Sequence, residues 1–181
     1  MRSRVMLIAI AVVIFVPMLL EARVSARNER VQRARGGVEP PDDVYKMMRL
    51  AYPGAFLAML AEAMLQGHAA GPTLIAGALV FVFAKALKWW AIGALGRFWT
   101  FRVIVIPGAS LVTTGPYRLL RHPNYIAVVG ELVGVAMMTA AAITGPLATA
   151  GFSVLLSKRI AVETRALRGA TAASHLQPRQ S

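Results

Sequence analysis

The chain contains no cysteine. That excludes disulfides, thiolate metal sites and a cysteine nucleophile, and it leaves the compartment open. Histidine is scarce too: His68, His122 and His175 are scattered, without the spacing of metal ligands. Acidic residues are outnumbered, 8 against 20 lysines and arginines, for a formal net charge of +12. In a soluble protein such a balance would suggest nucleic acid. Here the basic residues fall between long apolar runs, so topology and anionic headgroups account for them better. Neither a nucleic-acid partner nor a metal is expected. No internal repeat is evident. What the 181 residues hold in abundance is apolar sequence: 57% are hydrophobic and the mean hydropathy is +0.58, too apolar for an ordinary soluble domain. The length allows one domain.

The apolar runs predict an all-α integral membrane protein of about five transmembrane helices. Residues 1–20 form the first span. Val24-Ser25-Ala26 would pass as a signal-peptide cleavage site, but Arg23, Arg27, Arg30, Arg33 and Arg35 follow closely and hold the next segment in the cytoplasm. The span is therefore read as uncleaved, with the N-terminus outside. Residues 21–49 read as a polar connection whose helical continuation ends at Gly36-Gly37 and is broken by Pro40-Pro41. It is expected to be a solvated juxtamembrane loop against acidic lipids; the sharper alternative is a lid contributing Arg27 or Asn28. The second span covers 50–65 and contains Glu62. The third covers 73–95, with Lys85 and Lys88 snorkelling at its cytoplasmic end and Trp89-Trp90 in the interfacial belt. Residues 96–121 form a cytoplasmic link, of which 103–106 lies along the interface. In the fourth span, 126–143, Gly130 and Gly134 allow another helix to approach closely. A short fifth span ends near 157, its helix runs to 168, and 171–181 is expected to be a disordered tail. The C-terminus is then cytoplasmic, in what reads as a multi-pass inner-membrane protein.

One stretch is neither span nor simple helix. Residues 111–125 read Leu-Val-Thr-Thr-Gly-Pro-Tyr-Arg-Leu-Leu-Arg-His-Pro-Asn-Tyr. Gly115-Pro116 makes a turn, and Pro123 restricts the backbone of His122. Between those breaks stand Tyr117, Arg118, Arg121, His122, Asn124 and Tyr125. A polar, proline-broken segment beside a membrane span survives only where it lines a cavity or is buried in protein. The plainer reading is a cytoplasmic loop obeying the positive-inside rule. However, the run resembles the S-adenosylmethionine-binding motif of the isoprenylcysteine carboxyl methyltransferase family. That family carries a second block, an arginine and a glutamate four residues apart on a helix after the last span, and Arg159-Ile-Ala-Val-Glu163 stands in that place. The likeness covers roughly residues 99–167.

The resemblance implies a single membrane methyltransferase domain over 1–170, with scaffold spans in 1–95 and a cofactor-binding half in 96–170. It also implies a cytoplasmic-facing cleft for S-adenosyl-L-methionine. Carried across position by position, Ala109, Ser110, Leu111 and Val112 would supply mostly backbone contacts to the cofactor. Tyr117, His122, Pro123, Asn124 and Tyr125 would line the pocket, Glu163 would accept hydrogen bonds from the cofactor, and Arg159 would face the substrate. Arg102 is a loose match to a polar cofactor contact that the family has before this block. The residue chemistry is compatible: a tyrosine face attracts a sulfonium by about 0.5–2 kcal/mol. Without the family match, Arg159 and Glu163 would read as an exposed i, i+4 ion pair worth under about 0.5 kcal/mol. The acceptor implied is lipophilic and reached from among membrane lipids. It would be an isoprenylcysteine-type carboxylate, with phenolic or quinone-like polyketide lipids and phospholipid amines as alternatives. Glu131, an acid within the fourth span, is either a base for a phenol or the partner of Lys85 or Lys88. A small membrane transport or assembly subunit is the non-enzymatic rival; it would keep the intramembrane charges but would need no Gly-Pro-Tyr/His-Pro block.

Overall fold

The computed structural model describes residues 2–67 and 73–176, with side chains described for 4–67 and 73–169; His68 and the side chain of His175 lie outside these. Five α-helices follow one another: α1 (Arg2–Ala34), α2 (Tyr45–Gln66), α3 (Leu74–Leu95), α4 (Pro123–Thr139) and α5 (Thr144–Leu176). Single 3-10 turns occupy Gly96–Phe98 and Gly115–Arg118. Among the described residues the one extended pairing is an isolated antiparallel bridge between Val38 and Val105.

The all-helical class matches the reading of the sequence. Two stretches are long and apolar enough to cross a membrane on their own, Arg4–Ala34 and Leu74–Phe98, and α4 is a shorter apolar helix. Around an apolar core, many large apolar side chains face outward and a few charges are buried. Leu65 is 88%, Ile75 74% and Phe83 72% exposed, while Glu21, Lys88 and Glu131 are at most 2% exposed. Large apolar side chains facing outward around buried charges suit a surrounding of lipid.

Those buried charges form one set. Lys85 Nζ lies 2.7 Å from Glu21 Oε1 and 2.8 Å from Glu131 Oε2. Lys88 Nζ lies 2.7 Å from Glu21 Oε2 and 3.2 Å from Glu131 Oε1. Tyr52 of α2 adds a hydrogen bond, its hydroxyl donating to Glu131 Oε2 at 2.5 Å. Two cations and two anions from α1, α3 and α4 thus neutralise one another inside the bundle. In place of the snorkelling expected of the lysines, each ammonium contacts two carboxylates within the bundle. Of the two readings of Glu131, the structure presents the structural partner, engaged by both lysines.

Elsewhere the helices meet through small residues and one cap. α3 and α4 form the most extensive pair. A Cβ on Gly134 would come within 2.8 Å of the Phe81 backbone nitrogen, and one on Gly130 within 2.9 Å of Ala84 Cβ, so both glycines set the close approach. Glu62 of α2 reaches the start of α5. Its carboxylate accepts from the N–H of Ile143 at 3.0 Å, the N–H of Thr144 at 2.7 Å and the Thr144 hydroxyl at 2.6 Å. That satisfies N–H groups left orphaned at the start of the helix. At the other end, α5 continues through Gly169 to Leu176, into the stretch expected to be a disordered tail. Ala170, Ala172 and Ala173 favour the continuation.

Removing one charge from the buried set leaves another unpaired, which costs about 3–5 kcal/mol. Glu131→Gln is therefore expected to lower unfolding stability in detergent by about that amount, and adding Lys88→Met should recover part of it. Unchanged unfolding of the single variant would contradict this account.

Candidate active site

The site is built where the link between α3 and α4 folds back over the bundle. Gly115 turns the chain at φ 60°, a conformation that favours glycine. A Cβ there would also sit 2.8 Å from Ala94 Cβ and 3.3 Å from Trp90 Nε1, so the turn seats directly on α3. Pro116 opens the 3-10 turn and Pro123 opens α4, each at a position where a missing N–H does no harm. The result places His122, Asn124 and Tyr125 at the start of α4. From α5, Arg159, Glu163 and Leu167 project on one face at i, i+4 and i+8.

These pieces enclose a cavity of about 280 Å³, near the lower end of the usual range for small-molecule sites. Of the residues singled out in the sequence, Ala109, Ser110, Leu111, Val112, Tyr117, His122, Asn124, Tyr125, Arg159, Glu163 and Arg102 line it. Pro123 and Glu131 do not. Pro123 is fully buried as the first residue of α4, and its contribution is to start the helix. Glu131 lies in the ion set. Arg102 borders the cavity, but its guanidinium is held by Glu39 at 2.6 Å and Glu29 at 3.3 Å and lies 4.5 Å from the Tyr45 ring centre. These partners occupy its guanidinium at the cavity edge.

The two sequence blocks meet in the cavity. The Tyr125 hydroxyl donates to Glu163 Oε2 at 2.5 Å, and Arg159 Nε donates to the Tyr125 oxygen at 3.2 Å. His122 stacks on Tyr125 with ring centres 5.5 Å apart. Asn124 Oδ1 accepts from Trp99 Nε1 at 3.3 Å. Burial first, and then the charge of Glu163, push the Tyr117 phenol well above its ordinary pKa, so it stays neutral and presents a ring face and a hydroxyl. The backbone N–H groups of Ser110, Leu111 and Val112 make no main-chain hydrogen bond among the described residues, and these residues line the cavity. Its other walls are largely apolar, with Leu95, Phe98, Val103, Ile106 and Leu167. An anionic carboxylate, tyrosine faces, open N–H donors and apolar walls together fit a cationic, nucleotide-sized cofactor such as S-adenosylmethionine.

The reading of the sequence missed the support beneath the site. Ser25, Asn28 and Gln32, on the buried face of α1, bond the irregular backbone after α3. The Ser25 hydroxyl accepts from the Phe101 N–H at 2.8 Å. Asn28 Nδ2 donates to the carbonyls of Gly96 at 3.0 Å and Trp99 at 2.8 Å, and Gln32 Nε2 donates to Arg97 O at 3.0 Å. Val38 then pairs with Val105 through two backbone bonds of 2.9 and 3.0 Å. Residues 103–106, expected along the interface, are held here as a wall of the cavity. The solvated loop expected over 21–49 is thus largely a bracing element. Asn28 is buried in it and Arg27 exposed, and neither lines the cavity. The signal was present as the spacing Glu21, Ser25, Asn28, Gln32, a polar stripe at i, i+4, i+7, i+11.

The structure is an all-helical bundle whose cavity is lined by the link after α3, the start of α4 and one face of α5. The chain matches the isoprenylcysteine carboxyl methyltransferase (ICMT) family over residues 74–169, more than half its length, and it belongs to that family. It is similar to the uncharacterized protein YpbQ of Bacillus subtilis (strain 168), 30% identical over 156 residues that cover 86% of this chain and 93% of the relative. It is also similar to an uncharacterized protein of Haemophilus influenzae, 25% identical over 157 residues, covering 86% of this chain and 88% of that one. No solved structure matches. Family membership implies a membrane methyltransferase.

Gly115→Ala is expected to destabilise the protein by about 1–2 kcal/mol from the left-handed backbone alone, with more from the contact at Ala94. Gly93→Ala in α3, where a Cβ meets nothing within 4 Å, is the control and should lose nothing. Thermal unfolding of the two variants side by side checks this.

Proposed function

We propose that the protein transfers a methyl group from S-adenosylmethionine to an oxygen of a lipophilic, membrane-dissolved acceptor. The observation that carries the reading is the junction of the two blocks: Tyr125 bonded to both Glu163 and Arg159 in a cavity that the 109–125 loop surrounds. The bound cofactor supplies the activated methyl group. The residues named bind and orient. Glu163, the N–H groups of 110–112 and the tyrosine faces hold the cofactor. The Arg159 fork holds an anionic oxygen, and the apolar walls exclude water. Glu131, engaged by both lysines, is not placed to serve as a base in the cavity. Arg159 favours an acceptor that reacts as its anion, as an isoprenylcysteine-type carboxylate does. The non-enzymatic alternative leaves this cavity and its donor set without a use.

The proposed topology has five crossings, with the N-terminus outside and the cleft and C-terminus at the cytoplasmic face. Arg97, Arg102, Arg118, Arg121 and Lys158 cluster at that end, as the positive-inside rule requires.

Purified protein in detergent is expected to bind S-adenosylmethionine by titration calorimetry, with Glu163→Ala and His122→Ala weakening it. Well-folded wild-type protein that binds none would sink the methyltransferase reading. Methyl transfer from labelled cofactor into a total lipid extract, with the product identified by mass, then names the acceptor; a methylated amine headgroup would displace the O-methylation reading. Because the chain has no cysteine of its own, single cysteines report topology cleanly. Those introduced at position 33 or 175 should resist an impermeant thiol reagent in intact cells, and labelling at either would overturn the orientation.

A further inference from the structure

The linker between α1 and α2 carries Glu39, Asp42 and Asp43, three of the chain's 8 acidic residues within five positions. Each is paired with arginine. Glu39 holds Arg33 at 2.5 Å and Arg102 at 2.6 Å, and Asp42 holds Arg165 of α5. Partial burial pushes the Glu39 carboxyl up, but bonds and charge from Arg102 and Arg33 outweigh it and keep the group below the ordinary carboxylate range. It is therefore a carboxylate at neutral pH, paired with Arg102 of the link after α3.

Asp43 is the innermost of the three, its side chain 2% exposed. Its Oδ1 accepts from Arg159 Nη1 at 3.1 Å and from the Tyr45 N–H, also at 3.1 Å. Its Oδ2 accepts from the Val103 N–H at 2.9 Å. One carboxylate therefore touches both halves of the cavity, the loop at Val103 and the α5 arginine. Arg159 is itself only 6% exposed and lines the cavity. With Nε on Tyr125 and Nη1 on Asp43, its guanidinium plane is fixed at two points, while Nη2 has no partner among the described residues.

We propose that Asp43 is a positioning residue for methyl transfer: its carboxylate fixes the plane of the Arg159 guanidinium so that the Nη2 edge is left for the acceptor, and ties that arginine to the cofactor loop through Val103. This deepens the methyltransferase reading and rests on it. A planar fork gains over a point charge only when its orientation is set, since bidentate recognition is geometric. A long side chain left without its second anchor samples many rotamers, and that freedom must be lost again each time an acceptor binds. Asp43 removes that freedom beforehand and partly balances the arginine's buried charge. It touches neither cofactor nor acceptor and acts through Arg159.

The test uses the full-length protein in detergent with two independent readouts. The first is the rate of phenylglyoxal modification of Arg159, followed on its peptide by mass spectrometry, which requires no activity. The second is methyl transfer from labelled S-adenosylmethionine at saturating cofactor into a total lipid extract, alongside cofactor affinity by calorimetry. Asp43→Asn is expected to raise Arg159 modification at least tenfold and to cut turnover at least tenfold, with cofactor affinity changed less than threefold. Asp43→Glu, which restores the charge, should recover part of both and serves in its place should the asparagine variant not fold. Unchanged Arg159 modification in a folded variant overturns the proposal, as does full turnover. Wild-type protein that neither binds the cofactor nor transfers methyl defeats the methyltransferase reading instead. In that case the modification rates still decide whether Asp43 orients Arg159.

Discussion

Everything in this bundle is arranged around the buried set of Glu21, Lys85, Lys88 and Glu131. A single buried charge of that kind would be untenable in an apolar interior, and a pair would be marginal. Two acids and two lysines in mutual contact, with the Tyr52 hydroxyl added, cancel to zero net charge within one small volume. Such a set contributes less to raw stability than to specificity. It is satisfied only when α1, α3 and α4 stand in one register, because a one-residue rotation of any helix would aim its charged group at the apolar exterior. The register so fixed brings the polar face of α1 beside the backbone leaving α3.

That neighbourhood decides where irregular backbone can exist. The segment after α3 has no helix of its own to absorb its carbonyl and N–H groups, and such groups are costly next to lipid. Ser25, Asn28 and Gln32 satisfy several of them, and the Val38–Val105 bridge satisfies two more. Under the proposed topology the lengths agree. A helix of 33 residues is about 50 Å long, and a hydrocarbon core takes about 30 Å of it, so about 20 Å of α1 stands clear. This overhang starts near Glu21, at the level of the ion set, and carries the three bracing residues.

How much of this was legible in the sequence depends on whether the determining signal is local. Helix class, the turn at Gly115-Pro116, the close approach at Gly130 and Gly134, and the pairing of residues 111–125 with Arg159 and Glu163 all rest on local pattern or on a contiguous motif. The structure brings those site residues together apart from Pro123 and Glu131. What escaped was most of the long-range pairing; of the ion set, the pairing of Glu131 with Lys85 or Lys88 was open to the sequence as one of two readings. Lys85 and Lys88 look like snorkelling side chains until Glu21 is placed 64 residues away in sequence from Lys85. The ion pairs of Arg102 with Glu39 and Glu29 had no sign in its own neighbourhood. Glu62 has no evident role until the start of α5 is brought against it. In each case the residue type was informative, but the partner was set by helix register, which no short window of sequence encodes.

The family match begins at residue 74, so it includes the cavity-lining residues but not the elements that brace them. Glu21, Ser25, Asn28, Gln32, Glu39 and Asp43 all precede it. The chemistry-bearing segment and its frame are therefore different parts of one chain, joined by hydrogen bonds and ion pairs around the site and by an apolar core that includes Ile14, Phe56, Met59, Leu132 and Val135. This division has a physical consequence. Residues inside the matched segment fix which groups face the cavity, while the α1 face and its linker fix how rigidly those groups are held. A change in the frame leaves every cavity residue in place by identity and alters only its freedom. Recognition of an acceptor by a planar guanidinium is sensitive to that freedom, because the directional part of its binding vanishes when the fork is no longer aimed.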